Sequence, residues 1–384
     1  MRISRSFLIA LGLLGLLHVY IGLRLLPALP IGVAGRVVGV LLLAASCALI
    51  PLGLMARSMS QRSPATERLV LIALVAMGQF SSLFVFTLLR DVVMPIAALF
   101  APVMATDYAR EISAVIVIGM ALFATLVGYI NARRVASVVN VDVPIADLPA
   151  GLQGFSIAQI SDIHVGPTIR REYVQGIVAA VNELDADAIA ITGDLVDGSV
   201  KELASHVEPL AQLRARYGAY FVTGNHEYYS GERAWTKELR RLGVHVLMNE
   251  HVVLDRGAEK LVLAGVTDYS AHHFDPAQRS DPAAALANAP ADAGAKILLA
   301  HQPRSAPAAE AAGFDLQLSG HTHGGQFWPW NFFVRLQQPF TAGLDRLGSL
   351  WIYTSRGTGY WGPPKRFGAP SEITRIRLVA AAKA

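Results

Sequence analysis

The chain has 384 residues, 53% of them hydrophobic and only 16% charged, a balance that excludes an ordinary soluble enzyme and leaves room for two or three domains, part of them in lipid. The formal charge of +4 is unevenly held: residues 1–134 carry 11 Arg and no Lys against 4 acids, whereas residues 135–384 carry 22 basic and 25 acidic side chains. The basic excess lies between hydrophobic runs, where it sets membrane orientation, so no nucleic acid is expected as a partner; with Cys47 the single cysteine, no intramolecular disulfide is possible.

The first elements are four apolar stretches, Phe7–Leu23, Val37–Met55, Leu69–Leu89 and Ile112–Ile130. Each approaches the roughly 20 residues that a helix needs to cross hydrocarbon. The first follows Arg2 and Arg5 like a signal peptide, but no small-residue cleavage site follows, and it reads as a retained helix. Arg2, Arg5, Arg57, Arg62, Arg68, Arg133 and Arg134 flank one side, and Arg24, Arg36, Arg90 and Arg110 the other. Seven against four predicts a multi-pass protein of the inner (cytoplasmic) membrane with its N-terminus and C-terminal domain in the cytoplasm. Met94–Ala105 is also apolar and reads as re-entrant or interfacial; a further crossing there would reverse the orientation. No acid or Lys falls inside the four stretches, which predicts an anchor rather than a transport path, with His18 a helix-packing residue.

After Arg134 a β-rich stretch, Val135–Val143, leads through Pro144 and Pro149 into alternating short apolar runs and amphipathic segments. Strands are expected at Phe155–Ile160, Ala188–Thr192, Tyr220–Thr223, Leu261–Val266, Ile297–Ala300 and Leu316–Ser319. Helices are expected at Ile169–Asn182, Lys201–Arg216 and Arg233–Leu242, an α/β pattern. Five of the strands run directly into polar groups: Asp162-Ile163-His164, Gly193-Asp194, Gly224-Asn225-His226-Glu227, His301-Gln302-Pro303 and Gly320-His321-Thr322-His323. Loops at the carboxyl ends of such strands collect at one rim, so these groups predict a single site. Carboxylate, imidazole and amide donors without a thiolate suit two divalent ions such as Mn, Fe, Zn or Mg. Such a pair can share a hydroxide and neutralise charge on phosphoryl oxygens.

The ordered series D-x-H, G-D, G-N-H-E, a lone His and G-H-x-H resembles the calcineurin-like metallophosphoesterase superfamily across about residues 150–380. Gly320–Gln326 followed by Tyr353–Gly357 is similar to its bacterial, membrane-anchored branch. The resemblance implies a four-layer α/β sandwich, two mixed β-sheets flanked by helices, preceded by an all-α transmembrane region. The division expected is an anchor over 1–134, a linker with the first strand over 135–150, and the catalytic domain over 151–384. Carried over residue by residue, Asp162, His164 and His323 would hold one metal, and Asn225, His301 and His321 the other, with Asp194 bridging. His226 would stabilise the transition state or protonate the leaving oxygen, and Glu227 would orient its neighbours.

Other polar residues read more plainly. Asp268 is expected to shape a turn, Asp197 to bond backbone or cap the next helix, and His272 and His273 to lie in a solvated loop. Arg356 reads either as a substrate-phosphate contact or as half of an ion pair, and the aromatics of Phe327–Phe333 either as packing or as a lip for bilayer or acyl chain. The expected activity is a metal-dependent phosphohydrolase, a phosphodiesterase or pyrophosphatase acting on a membrane-associated or nucleotide-linked lipid. The competing reading is a membrane scaffold or regulatory protein with a phosphoesterase-like binding module.

Overall fold

The computed structural model describes residues 5–57 and 63–382. They fall into two compact units, one of residues 5–57 and 63–130 with 362–367, the other of residues 131–361 with 368–382.

In the first unit, α1 (Arg5–Leu25), α2 (Val33–Arg57), α3 (Pro64–Phe100) and α4 (Asp107–Arg133) are each long and apolar enough to cross a membrane. Ser63 caps α3 by accepting from Thr66 N–H, with Pro64 in the first turn, where a missing donor costs nothing. This helix runs 37 residues, past the expected end at Leu89, so Met94–Phe100 forms its last turns rather than a separate re-entrant piece. At 1.5 Å per residue it is about 55 Å long, well beyond the hydrocarbon thickness of about 30 Å. Asp91 therefore lies within a helix, and its carboxylate is satisfied from α1: Tyr20 donates at 2.7 Å and Arg24 Nε at 2.6 Å. His18 packs between helices as expected, with Nδ1 at 2.8 Å from Leu14 O, Nε2 at 3.1 Å from Ser46 Oγ and its ring stacked on Phe80 at 4.2 Å. Lys365 is buried in this unit, donating to Gly78 O at 3.0 Å and to the Ser82 hydroxyl.

The second unit begins with β1 (Ser137–Ile145), β2 (Ser156–Ile160), α5 (Arg171–Asn182), β3 (Ala188–Ile191), α6 (Val200–Val207) and β4 (Ala219–Phe221). Next come α7 (Asn225–Ser230), α8 (Glu232–Arg241), β5 (His245–Val246), β6 (Glu250–Arg256), β7 (Glu259–Gly265), α9 (Pro282–Ala285) and β8 (Ala295–Leu299). It closes with α10 (Ala306–Ala312), β9 (Leu316–Ser319), β10 (Gly343–Leu347), β11 (Leu350–Thr354) and β12 (Glu372–Ala380). One six-stranded sheet has the order β1-β12-β2-β3-β4-β5 and the other β10-β11-β9-β8-β7-β6. Both are mixed: β2 to β5 run parallel with β12 antiparallel to β2, and β7, β8, β9 and β11 run parallel with antiparallel edges at β6 and β10.

Alternation along the strands builds the layers. Ile157, Ala190 and Tyr220 of the first sheet and Leu263, Ile297 and Leu318 of the second share one core between the sheets. The intervening residues face outward: Ala158, Ile189 and Phe221 pack on Val174 and Ile177 of α5, Leu203 of α6 and Trp235 of α8. On the far side, Ala264, Leu298 and Ile352 pack on Ala306 and Ala309 of α10 and Ala285 of α9. Burial on both faces explains why these strands read as nearly continuous apolar runs. The result is two mixed sheets between two helical layers.

Candidate metal centre

Five strands end at one rim. From the first sheet, β2 delivers Asp162 and His164, β3 delivers Asp194, and β4 delivers Asn225 and His226; from the second, β8 delivers His301 and β9 delivers His321 and His323. Three overlapping groups form, Asp162 with His164 and His323, His164 with Asp194 and His226, and Asp194 with His301 and His321, each with its donor atoms within 4.8 Å of one another. Asp194 is common to two of them.

The loops achieve this at a backbone cost. Asp162, His164, Asp194, His321 and His323 all have positive φ, between 51° and 70°. Left-handed conformation is disfavoured for side chains other than glycine and persists only where surrounding structure enforces it. Glycines supply the clearance: a Cβ on Gly224 would lie 2.2 Å from Asp194 Oδ1, and one on Gly320 would lie 2.0 Å from Ser161 Oγ and 2.2 Å from Asp162 Oδ2. Glu227, fully buried on α7, braces the turns by accepting N–H bonds from Asp194 (3.0 Å), Leu195 (2.8 Å) and Gly224 (2.7 Å).

Hydrogen bonds at the back of the imidazoles set their tautomers. His301 Nδ1 donates to Thr192 O at 2.8 Å, which turns Nε2 toward Asp194 Oδ2 at 3.1 Å. His164 Nδ1 faces Asp197 Oδ1 at 3.2 Å, turning Nε2 to within 3.1 Å of His323 Nε2. His321 Nδ1 lies 3.2 Å from His301 Nε2. Pairs of imidazole nitrogens this close, beside buried carboxylates, call for a cation between them. Asn225 Oδ1 adds a buried acceptor without a hydrogen-bond partner among the described residues. The donor set and this orphaned oxygen fit divalent metal.

In the metal-free chain protons partly replace that charge. Burial would raise the Asp194 carboxyl, but His301, His226 and His164 outweigh it and hold the group far below its usual range. Burial raises Asp162, against the opposing pull of His301, and burial with the Asp194 charge pushes Glu227 up to about 8. His301 rises well above its ordinary value because Asp194 overcomes the burial that would lower it. His321 is pushed down to about 3 by burial and by His301. Burial would also lower His226, yet Asp194 and Asp197 push it up to about 9, so at neutral pH it holds a proton.

Of the two roles expected for Asp197, bonding backbone or capping the next helix, the cap falls to Ser199. Asp197 Oδ1 lies 2.5 Å from His226 Nδ1 as well as 3.2 Å from His164 Nδ1, so one carboxylate orients two imidazoles. Nothing in its spacing after the Gly-Asp pair distinguishes this from a cap. Asp268 does shape a turn, accepting from Ser270 N at 2.8 Å, and also receives Gln302 Nε2 at 3.1 Å beside His301. Arg356 pairs with buried Glu372 at 2.7 Å, and a Cβ on Gly324 would meet its stem at 3.0 Å. His272 and His273 occupy a surface turn with ring centroids 4.0 Å apart.

The model of the calcineurin-like phosphoesterase family matches residues 155–325. A transmembrane protein with metallophosphoesterase domain from Danio rerio is 41% identical over 259 residues, 65% of this chain and 59% of that protein. The chain thus spans less than two thirds of that relative's length. An uncharacterized metallophosphoesterase from Aquifex aeolicus is 34% identical over 234 residues, 60% of this chain and 87% of that one. Among solved structures, Haemophilus influenzae NAD nucleotidase aligns at 16% identity with a TM-score of 0.38, covering 54% of this chain and 50% of that one. Since the Aquifex aeolicus protein is matched over most of its length, the chain belongs to the calcineurin-like phosphoesterase family, and it also carries four apolar helices of membrane-crossing length among its described residues.

Proposed function

We propose that the protein is a phosphodiesterase or pyrophosphatase with a dinuclear centre, acting on a membrane-associated or nucleotide-linked lipid substrate at the inner (cytoplasmic) membrane, with the catalytic unit in the cytoplasm. The observation that carries the chemistry is the sharing of Asp194 between two donor groups, with His226 Nε2 3.9 Å from Asp194 Oδ2. Asp162, His164 and His323 would hold one divalent ion, Asn225, His301 and His321 the other, and Asp194 both. When bound, such a pair supplies positive charge for the phosphoryl oxygens and lowers the pKa of a nucleophilic water. His226, whose Nδ1 is held by Asp197 at 2.5 Å, would donate a proton to the departing oxygen. Arg356, whose side chain is still 35% exposed beside Glu372, is assigned to a substrate phosphate oxygen.

The lipid assignment is supported by the four apolar helices and by an apolar lip after the last histidines, where Trp330, Phe332, Phe333 and Leu336 are all exposed. Replacing Trp328 and Trp330 with Ala should impair a lipid-linked substrate far more than a soluble one; equal impairment removes the lipid assignment.

The test of the reaction class uses full-length protein in detergent, stripped of metal and resupplied with Mn. Turnover of bis(4-nitrophenyl) phosphate exceeding that of 4-nitrophenyl phosphate, and absent from Asp194→Ala, is expected. Preference for the monoester overturns the diester assignment, and turnover that persists in Asp194→Ala overturns the centre. Reporter fusions at the C-terminus test the side of the membrane: activity only from a reporter that works in the periplasm reverses the cytoplasmic assignment.

A further inference from the structure

The surface beside His226 has a composition of its own. Among the described residues of the second unit, the exposed large apolar side chains are aromatic except for Val135, Val138 and Leu336. Two of the aromatics border the proton donor of the proposed reaction, and a third adjoins one of them. The Trp361 ring meets His226 edge to face at 5.7 Å and 73°, the Tyr229 ring meets it from another side at 5.4 Å and 82°, and Phe274 continues the row against Tyr229 at 5.4 Å and 67°. Tyr229 is 65% exposed, and Trp361 and Phe274 are each 48% exposed. About half or more of each of these residues is therefore accessible to solvent.

The row is held in place. Gln326, three residues past His323, donates through Nε2 to Trp361 O at 2.9 Å and accepts from Trp361 N at 2.8 Å. Phe274 also packs on Tyr228 at 5.4 Å, and the Tyr228 hydroxyl donates to Gln278 at 2.7 Å. A fixed row of exposed rings, with no exposed aliphatic side chain among them, suits a planar π system better than an acyl chain. A planar ring stacks on aromatic faces, with a gain of about 5- to 150-fold in affinity for a nucleobase.

We infer that Tyr229, Phe274 and Trp361 form a stacking wall that receives a planar, nucleobase-like part of the substrate on the leaving-group side, next to His226. This rests on the proposed phosphoester chemistry and sharpens it: the group released beside His226 is the nucleoside end, so the remainder of the substrate lies across the centre from the wall.

Binding measured by calorimetry on the full-length, Mn-loaded protein tests this without turnover. AMP, ribose 5-phosphate and octyl phosphate share a phosphate and differ in what it carries. AMP is expected to bind at least about 5-fold more tightly than ribose 5-phosphate. Tyr229→Ala and Trp361→Ala should remove that advantage with the ribose 5-phosphate affinity kept, and Tyr229→Phe should retain it. Equal affinity for AMP and ribose 5-phosphate, lost by both in Asp194→Ala, overturns the wall and leaves the phosphate site standing. Octyl phosphate matching AMP and weakening by the same factor in the variants also overturns it, making the surface an acyl site. AMP binding that survives Asp194→Ala, or no binding by any of the three, overturns both the wall and the reading beneath it.

Discussion

Asp197 Oδ1 lies 2.5 Å from His226 Nδ1, and the same oxygen reaches His164 Nδ1 at 3.2 Å, so one carboxylate fixes the ring expected to move a proton and a ring expected to bind metal. Asp197→Asn can present an amide N–H where the histidines need an acceptor. Groups that orient a metal-ligating imidazole are typically worth about 10- to 100-fold in metal affinity or activity. At saturating Mn, kcat of Asp197→Asn on bis(4-nitrophenyl) phosphate should fall by about that factor with little change in KM. A titration of Mn at fixed substrate should separately shift to higher concentration. An unchanged kcat would remove Asp197 from the reaction.

Glu227 is buried and serves as acceptor for several backbone N–H groups of the loops after β3 and β4. Glu227→Ala strands those donors, each at about 1–3 kcal/mol. Chemical denaturation should show a loss of about 3 kcal/mol or more, and Mn binding should weaken with it. Glu227→Gln keeps one acceptor oxygen and should lose distinctly less.

Gly224→Ala and Gly320→Ala each add a single methyl, but the added carbon would come within 2.2 Å of Asp194 Oδ1 in the first and 2.2 Å of Asp162 Oδ2 in the second. Either carboxylate must move. Metal content of the purified variants, measured by atomic emission, should fall below that of the parent while the helical signal is retained. Full metal content in both would show that the loops adapt more freely than their packing implies.

Metal should also stabilise the chain. A ligand that binds only the folded state adds about 2.7 kcal/mol at 100 times its dissociation constant. Thermal melts in detergent should therefore rise on adding Mn to stripped protein and fall again with chelator. Asp194→Ala should melt at the same temperature with and without Mn.

Much of the second unit is legible because its strands are buried on both faces, so β2, β3, β8 and β9 stand out as apolar runs with the polar donors just beyond their ends. What escapes is nonlocal. The insertion of β12 between β1 and β2 joins segments more than 200 residues apart, and no local pattern encodes it. The part played by Asp197 depends on where two side chains from other strands arrive. The continuation of α3 past Arg90 and Asp91 is hidden for a similar reason: the pair looks like the end of a membrane segment until Tyr20 and Arg24 are seen to satisfy the carboxylate.

The division of the donors between two sheets ties distant packing to chemistry. Asp162, His164, Asp194, Asn225 and His226 ride on one sheet and His301, His321 and His323 on the other, so the separation of the two groups is set by the side chains filling the space between. The centre is in effect a caliper whose jaws are the sheets. Leu316→Ala, at the far end of β9 from the histidines, removes core volume there and should cost about 2–5 kcal/mol. It should also raise the Mn concentration needed for half-maximal activity, although Leu316 is not among the proposed ligands. An unchanged Mn requirement beside the lost stability would mean that the rim loops hold their spacing independently of the layers below.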